Sequence, residues 1–280
     1  MINYFRKFLW NISSRIIHFR GKERIVAFLS RPRIFNQITI KRQGVIWSLQ
    51  GHDLNEFYIA IRSNHSSILS NRLIEEIEKH KINIFWDIGA NIGAISMPLL
   101  KRFNNLEAVL FEPSAEVAGR LIRNLAHNPD LYSRVTILTI ALSDSEGINN
   151  FHVSNETFNS GVSGLGYSEN RYKFAVGVQT YTGDSLVESK KFAPPQLIKI
   201  DVEGYELEVF KGLTNTLSKY HPIIIFEHSV YRLKERNQPI NTVTKFLETL
   251  GYSVYSQLSN KKITENDLDS DSDFIARVSH

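Results

Sequence analysis

The feature that most constrains the fold is a regular alternation of apolar runs and helical stretches that begins near residue 82. Short apolar runs occupy residues 82–88, 107–111, 135–142, 196–200 and 222–226. Helical stretches are predicted between or after them, at residues 94–103, 114–128, 205–220 and 241–250. Continuous apolar strands that alternate with helices indicate a mostly parallel sheet covered by helices on both faces. We therefore predict an α/β fold.

Three segments extend this pattern. Residues 144–195 hold strand-like runs and a small-residue loop, which we interpret as an insertion in a main domain of residues 81–280. Two strand-like runs near the C terminus, YSVYSQL and DFIARV, predict an antiparallel hairpin. Residues 1–80 combine predicted helices with two short strands around Arg42-Gln43-Gly44, and we assign them to a small N-terminal module.

Cysteine content and charge limit the classes of function. The chain has no cysteine, which excludes disulfides, cysteine-ligated zinc and thiol nucleophiles and is compatible with a reducing cytoplasm. The formal net charge is +4, but residues 1–33 carry eight basic side chains and one acid. A basic amphipathic helix on an anionic membrane and a helical cap on the main domain both fit this segment. We predict a cytoplasmic protein, with the inner face of the membrane as an alternative location, and no nucleic-acid partner.

The first predicted strand ends in a tight turn, within the stretch IFWDIGANIGAIS. Gly89 and Gly93 relieve the strain of positive φ angles, and their missing side chains would let a ligand approach the backbone. The N–H groups at the start of the following helix favour a polar or anionic partner. The spacing is GxxxG instead of the GxGxxG of dinucleotide-binding proteins, and a purely structural role for the glycines is the alternative.

The second and third predicted strands end in candidate ligand-binding residues. Glu112, in VLFEPS, is placed to accept two hydrogen bonds from the vicinal hydroxyls of a ribose. The alternative is that Glu112 caps the helix predicted at 114–128. Ala141 and Leu142 would lie beside an adenine, and Asp144 could accept a hydrogen bond from its amine. Residues 144–147 also fit a plain turn.

The fourth and fifth predicted strands end in ionisable residues, Asp201 and Glu203 on one and Glu227 and His228 on the other. Carboxylates crowded at the rim of a sheet raise one another's pKa values or bind a cation. Two alternatives stay open. Glu203 could be a first-turn acid that interacts with a helix dipole, and His228 could be a solvated loop histidine.

These motifs together resemble a known family. The stretches FWDIGANIGAIS, LFEPS, ALSDSEG, VQTYTGDSL, LIKIDVEGYELEVFKG and IIIFEHS, in this order, are similar to those of the FkbM-type methyltransferases. These are S-adenosylmethionine-dependent enzymes with the Rossmann-like class I fold. The resemblance covers residues 81–229 and implies that fold, S-adenosylmethionine as cofactor, and an antiparallel strand at the end of the sheet. The threonine–leucine–aspartate typical of the family is Thr182-Gly183-Asp184 here, and we interpret Asp184 as a helix start.

The resemblance also assigns roles to residues. It implies that the cofactor is bound by Asp87, Gly89, Ala90, Asn91, Gly93, Glu112 and Pro113, with Ala141, Leu142 and Asp144 on the adenine side. It implies a catalytic role for Asp201, Glu203 and Glu227. Asp201 is our first candidate for the base, and Glu227 or His228 are the alternatives. No metal site is favoured, although a divalent ion held by Asp201 and Glu203 is an alternative.

The resemblance implies O-methylation of a hydroxyl on a sugar, a glycan or a natural product. The acceptor would be a small molecule, a glycan or a lipid-linked saccharide, and the basic N terminus would suit a substrate at a membrane. Two other classes of function compete with this prediction. One is a nicotinamide-dependent oxidoreductase on a Rossmann-like fold, and the other is a non-catalytic binding module.

Overall fold

The structure is a computed structural model that describes residues 37–50, 53, 56, 59, 68–154, 163–165 and 172–278. The prediction of a basic amphipathic helix within residues 1–33 lies outside the described residues. Among the described residues, no helix has the length and apolar character needed to cross a membrane.

The described elements are named in chain order. The strands are β1 (Ile38–Arg42), β2 (Val45–Leu49), β3 (Ile84–Ile88), β4 (Glu107–Phe111), β5 (Val135–Leu138), β6 (Ala141–Leu142), β7 (Gly147–Ser154), β8 (Gly164–Leu165), β9 (Tyr172–Tyr181), β10 (Leu197–Ile200), β11 (Ile223–His228), β12 (Tyr252–Ser256) and β13 (Ser272–Val278). The α-helices are α1 (Ile68–His80), α2 (Ser96–Arg102), α3 (Ala115–Ala126), α4 (Gly183–Glu188), α5 (Glu206–Lys211), α6 (Thr214–Tyr220), α7 (Val230–Glu235) and α8 (Thr242–Thr249). Two 3₁₀ helices span Pro129–Arg134 and Glu265–Asp269.

A seven-stranded sheet in the order β12-β13-β11-β10-β3-β4-β5 forms the centre of the fold. Five neighbouring strands, from β11 to β5, run parallel, and β13 is antiparallel to both of its neighbours. The predicted Rossmann-like sheet and its C-terminal antiparallel hairpin are therefore confirmed. The strand order reverses between β3 and β10, because the chain builds outward to β5 before it returns to the other side of β3. Open α/β sheets bind ligands in the crevice at such a switch point.

The central strands are buried on both faces, as their continuous apolar sequences predict. Phe85 and Trp86 follow one another in β3, are both fully buried, and belong to two separate hydrophobic cores. Successive side chains of a strand point to opposite faces, so this pair marks one core on each side of the sheet. β3 and β10 each hold one buried charged residue, Asp87 and Lys199, and these two are register partners.

The predicted strand at 135–142 is wrong in one respect, because it is two strands in two different sheets. β5 forms the edge of the large sheet, whereas β6 pairs with β9 in a four-stranded sheet of order β6-β9-β7-β8. The stretch interpreted as an insertion supplies β7, β8 and β9. An apolar run shows that a segment is buried, but it does not identify the strand with which the segment pairs.

The described part of the N-terminal module packs on the main domain. β1 and β2 form the predicted hairpin, and the turn places Gln43 and Gly44 at φ angles of 49° and 78°. Val45, Trp47 and Leu49 of β2 are buried in the same core as Phe85 of the central sheet. This hairpin therefore shares a hydrophobic core with the main domain.

The single helix predicted at 205–220 is two helices, α5 and α6. The break lies at Gly212, where a Cβ atom would lie 1.9 Å from the carbonyl oxygen of Ser143. The carboxylate of Asp184 accepts hydrogen bonds of 2.9 Å and 2.7 Å from the backbone N–H groups of Asn215 and Thr216, which open α6. Asp184 lies in the first turn of α4, as predicted, and also caps a second helix. The break depends on these tertiary contacts.

Candidate active site

A cavity of about 620 Å³ opens at the carboxyl ends of β3, β4, β10 and β11, next to the switch point of the sheet. Its volume is in the range that holds a small-molecule ligand or cofactor. One end is apolar and is lined by Phe111, Pro113, Ile140, Ala141 and Leu142. The other end is lined by carboxyl groups, which we call the acidic rim: Asp201, Glu203, Glu227 and Asp273. Most of the predicted site residues therefore meet in one cavity.

The glycines of the first turn are required by packing within the protein. Gly89 and Gly93 adopt φ angles of 79° and 83°, and the intervening Asn91 is also left-handed, at 51°. A Cβ atom on Gly89 would lie 1.9 Å from the carbonyl oxygen of Asp201, and one on Gly93 would lie 2.7 Å from Leu121. The alternative of a structural role therefore accounts for both glycines. Gly89 also lines the cavity, whereas Gly93 does not.

The N–H groups of Gly89, Ala90 and Asn91 in this turn are used within the protein. Those of Gly89 and Ala90 both donate to the carbonyl oxygen of Phe111, at 3.0 Å. That of Asn91 donates to the carboxylate of Glu112, also at 3.0 Å. The turn thus joins the end of β3 to the end of β4, and by doing so it fixes the position of the Glu112 side chain.

Glu112 is buried at the cavity wall and has capacity for further hydrogen bonds. Its Oε2 accepts from the N–H of Asn91, and its Oε1 accepts from the N–H of Ser114 at 2.9 Å. Burial raises its pKa to about 7, against the lowering effect of these two hydrogen bonds. The hydroxyl of Ser114 caps α3, so Glu112 is not the cap residue. Each carboxylate oxygen has two lone pairs, so both oxygens of Glu112 can accept one more hydrogen bond.

A buried lysine that the sequence analysis did not select connects β3 with β10. The Nζ atom of Lys199 lies 2.8 Å from the carbonyl oxygen of Gly89, 3.1 Å from Asp87 and 3.3 Å from Asp201. Burial disfavours its charge, but the carboxylates of Asp201 and Asp87 outweigh that effect and raise the pKa of Lys199. Asp87 also accepts a hydrogen bond from Ser96 and does not line the cavity. Asp87 therefore does not contact the cavity directly but helps to position Lys199, which does.

The acidic rim concentrates negative charge. Carboxylate oxygens of Asp201, Glu203 and Glu227 all lie within 4.8 Å of one another. Burial, followed by repulsion from Asp201 and Glu203, raises the pKa of Glu227 to about 9. Burial and Asp201 raise the pKa of Glu203 to about 7, although Arg232 opposes this change. The rim therefore holds at least one proton near neutral pH.

Two further residues of this region were missed from the sequence. Arg232 of α7 donates from Nη2 and Nε to one oxygen of Glu203, at 2.9 Å and 3.1 Å. The backbone of Glu203 lies in the left-handed region, at a φ of 58°.

Asp273 of β13 is the register partner of Glu227, and burial together with Asp201 raises the pKa of Asp273 to about 6. Asp273 is the aspartate that opens DFIARV, a predicted strand of the terminal hairpin. An acid at the end of a strand was therefore the signal available in the sequence.

Besides Gly93 and Asp87, two more of the predicted residues, His228 and Asp144, do not line the cavity. His228 is buried on the face of β11 opposite to Glu227, with its Nε2 2.9 Å from the carbonyl oxygen of Leu268. Asp144 is exposed and accepts hydrogen bonds from the hydroxyls of Ser143 and Ser145, as a turn residue would. The alternative of a solvated histidine is wrong, since His228 is buried.

Asp201, Glu203 and Glu227 are close enough to hold a divalent cation. Lys199 and Arg232 already pair with Asp201 and Glu203. A calcium ion takes six to eight oxygen ligands, and two neighbouring cations oppose its binding electrostatically. The donor set therefore fits a ligand that donates hydrogen bonds better than it fits a metal ion.

Residues 87–254, more than half of the chain, match the family model of the methyltransferase FkbM domain. The chain belongs to the FkbM methyltransferase family. The match begins at Asp87 and includes Glu112, Asp201, Glu203 and Glu227, and it ends before Asp273. Both walls of the cavity thus contain residues of the family domain, while one carboxyl group of the acidic rim comes from outside it.

The chain is similar to several named methyltransferases. The hexuronic acid methyltransferase AglP of Haloferax volcanii is 33% identical over 157 residues, which cover 56% of this chain and 60% of AglP. The 2-O-methyltransferase NoeI of Sinorhizobium fredii is 27% identical over 218 residues, which cover 74% of this chain and 87% of NoeI. The crystal structure of an FkbM methyltransferase from Methylobacillus flagellatus superposes with a TM-score of 0.48 and 16% identity, over 70% of this chain and 43% of that one.

Proposed function

We propose that this FkbM family protein is an S-adenosylmethionine-dependent O-methyltransferase that acts on a hydroxyl group of a sugar or glycan. The observation that carries the proposal is the buried carboxylate of Glu112, which faces a cavity at the switch point with the acidic rim at its other end. Membership of the family and the names of AglP and NoeI support the reaction class.

The residues of the cavity fit the proposed cofactor. Glu112 would accept hydrogen bonds from the ribose diol with the lone pairs that Asn91 and Ser114 leave unused. The adenine would lie against the apolar end, beside Ala141 and Leu142. S-adenosylmethionine supplies an electrophilic methyl group on a positively charged sulfur, and the acidic rim stabilises positive charge.

The same charge distribution bears on the oxidoreductase alternative. A nicotinamide dinucleotide carries a negatively charged diphosphate, which the acidic rim would repel. Lys199 is the one cation among the described lining residues, and it is already paired with Asp87 and Asp201. The cavity therefore favours the sulfonium cofactor over the dinucleotide.

The acidic rim would prepare the acceptor for methyl transfer. A sugar hydroxyl is a weak nucleophile at neutral pH, and a positioned base accelerates such reactions by about 10²–10⁴-fold. We assign this role to Asp201, whose half-exposed carboxylate lines the cavity and is held by Lys199 at 3.3 Å. Glu227 keeps its proton near neutral pH and would donate a hydrogen bond to the acceptor. Correct positioning of the two reactants contributes a further 7–11 kcal/mol, roughly, to lowering the barrier.

Titration calorimetry with S-adenosylmethionine and with NAD tests the proposed cofactor. We expect binding of S-adenosylmethionine, and Glu112→Gln should weaken it at least about tenfold, because a carboxylate that accepts from two hydroxyls is lost. Glu107→Gln is the matched control, since Glu107 is exposed at the other end of the same strand. Binding of NAD with no heat from S-adenosylmethionine would refute the proposal.

Formation of S-adenosylhomocysteine in the presence of glycan acceptors separates an enzyme from a binding module.

A lipid-linked saccharide as acceptor and membrane contact through residues 1–33 remain predictions. Flotation with anionic liposomes tests the membrane contact, because deletion of residues 1–33 should abolish it. Equal flotation of the full chain and the deletion variant would contradict that prediction.

A further inference from the structure

Carboxyl groups outnumber cations at the acceptor end of the cavity, even when Arg232, which pairs with Glu203 but does not line the cavity, is counted. The acidic rim presents four carboxyl groups, while the lining residues that the structure describes include one cation, Lys199. The ammonium group of Lys199 is buried and already contacts two carboxylates and a carbonyl oxygen. No described lining residue is therefore placed to receive a negatively charged group of the acceptor.

Glu227 has a hydrogen-bonding position that no described residue fills. Its Oε2 is buried, and none of the described residues donates a hydrogen bond to it. A buried polar atom without a hydrogen-bond partner is costly, and a hydroxyl group of a bound acceptor, which can both donate and accept, would remove that cost. A carboxylate on the acceptor would instead add a further negative charge close to the carboxylates of Asp201 and Asp273.

Asp273 strengthens this arrangement from an unexpected part of the chain. It lies directly opposite Glu227 in the antiparallel pair of β11 and β13, and both side chains line the cavity. Asp273 lies outside residues 87–254, the part of the chain that matches the FkbM domain. A residue that completes the cavity from outside the shared domain is suited to determine which acceptor is used.

We propose that the acidic rim, with Asp273 as a specificity-determining residue, selects neutral or amino sugars as acceptors and rejects uronic acids. The inference rests on the proposed function, because it takes this cavity as the acceptor site. It separates this chain from AglP, whose name states that it is a hexuronic acid methyltransferase. The physical basis is repulsion between like charges at short distance in a partly buried site.

Three synthetic acceptors of the same ring configuration test the proposal: a nitrophenyl glucoside, the corresponding glucosaminide and the corresponding glucuronide. The full-length protein is first titrated with S-adenosylmethionine, and S-adenosylhomocysteine formation is then measured with each acceptor. We expect the glucoside or the glucosaminide to react at least about tenfold faster than the glucuronide. Asp273→Asn should reduce that ratio several-fold. The control is Asp269→Asn, which removes an exposed aspartate at the end of the 3₁₀ helix before the same strand and should leave the ratio unchanged.

The ratio between acceptors is informative because partial misfolding of a variant lowers both rates equally. Should Asp273→Asn fail to fold, Asp273→Ser, which removes the same charge, provides the second test of the same ratio. A glucuronide that reacts as fast as the glucoside in the wild type overturns the inference, as does a ratio that neither variant changes. Binding of S-adenosylmethionine without turnover of any of the three acceptors refutes both the sugar acceptor and this inference. Absence of S-adenosylmethionine binding refutes the proposed function itself.

Discussion

Two groups of buried charges lie near the cavity, and they differ in how completely their carboxyl groups are satisfied. In the first, Arg120 of α3 pairs with Asp53 at 3.0 Å and with Glu56 at 2.6 Å. The other oxygen of Asp53 accepts from the N–H of Glu56, and that of Glu56 accepts from the N–H of Gln50. We call these residues the Arg120 cluster. Each of its carboxylate oxygens has a donor.

In the acidic rim, by contrast, not every carboxyl oxygen has a hydrogen-bond partner. Glu203 is paired with Arg232 and Asp201 with Lys199, but an oxygen of Glu227 has no donor among the described residues. Burial raises the pKa of a carboxyl group in both regions, at Glu56 as well as at Glu227. The raised pKa alone therefore does not distinguish a structural cluster from a catalytic one. What separates the two regions is that the unpartnered oxygen belongs to Glu227, which lines the cavity, so a ligand bound there could reach it.

The largest effect that would test this contrast concerns activity. We expect Asp201→Asn to lower the rate of S-adenosylhomocysteine formation about 10²–10⁴-fold, because the amide cannot accept the proton of the acceptor. The side chain is 42% exposed, so the free energy of unfolding should change little. Asp269→Asn is the control in the same assay. Retention of full activity in Asp201→Asn would remove the assigned base.

The Arg120 cluster should show the opposite behaviour. Arg120→Met would leave two buried carboxylates without their cation and should reduce the free energy of unfolding by about 3–5 kcal/mol. Urea-induced unfolding measures this loss. The matched control is Arg123→Met, on an exposed position of the same helix, with an expected change within about 0.5 kcal/mol. Equal stability of the two variants would contradict a structural role for the cluster.

We expect Glu227 to have a smaller effect on the free energy of unfolding, and one that depends on pH. Its pKa rises from an ordinary 4.5 to about 9 in the folded protein, so the folded state holds a proton that the unfolded chain releases between these values. The associated stability is complete below about pH 4.5 and is lost as the pH rises through 9. Its contribution to the free energy of unfolding therefore falls with rising pH, by up to about 1.4 kcal/mol per pH unit.

Because glutamine does not titrate, Glu227→Gln should be less sensitive to pH than the wild type, and the difference should grow from pH 5 to pH 8. Urea unfolding across this range, with Glu107→Gln as control, measures it. The amide of Glu227→Gln can still donate a hydrogen bond, so activity should fall less than in Asp201→Asn. A loss as large as that of Asp201→Asn would contradict the assignment of Glu227 as a hydrogen-bond donor that glutamine can replace.

The parts of the site that could be predicted are those that one strand end specifies by itself. Glu112 was identified because a carboxylate that ends an apolar strand is unusual, and Asp201 and Glu203 were identified for the same reason. The same reasoning misplaced His228. Successive side chains of a strand alternate between faces, so Glu227 and His228 of β11 could not both point into the cavity. That rule was available from the sequence and would have excluded one of the two.

The sequence by itself determined the alternation of strands and helices and the candidate residues at the strand ends, because the periodicity of apolar residues is a local property of the chain. Only the tertiary structure decided how charges are paired across the site. Lys199 meets Asp87 through the register of two parallel strands, and Arg232 reaches Glu203 from a separate helix. Such pairings depend on register and helix packing between segments distant in sequence. The pattern within a single segment does not contain that information.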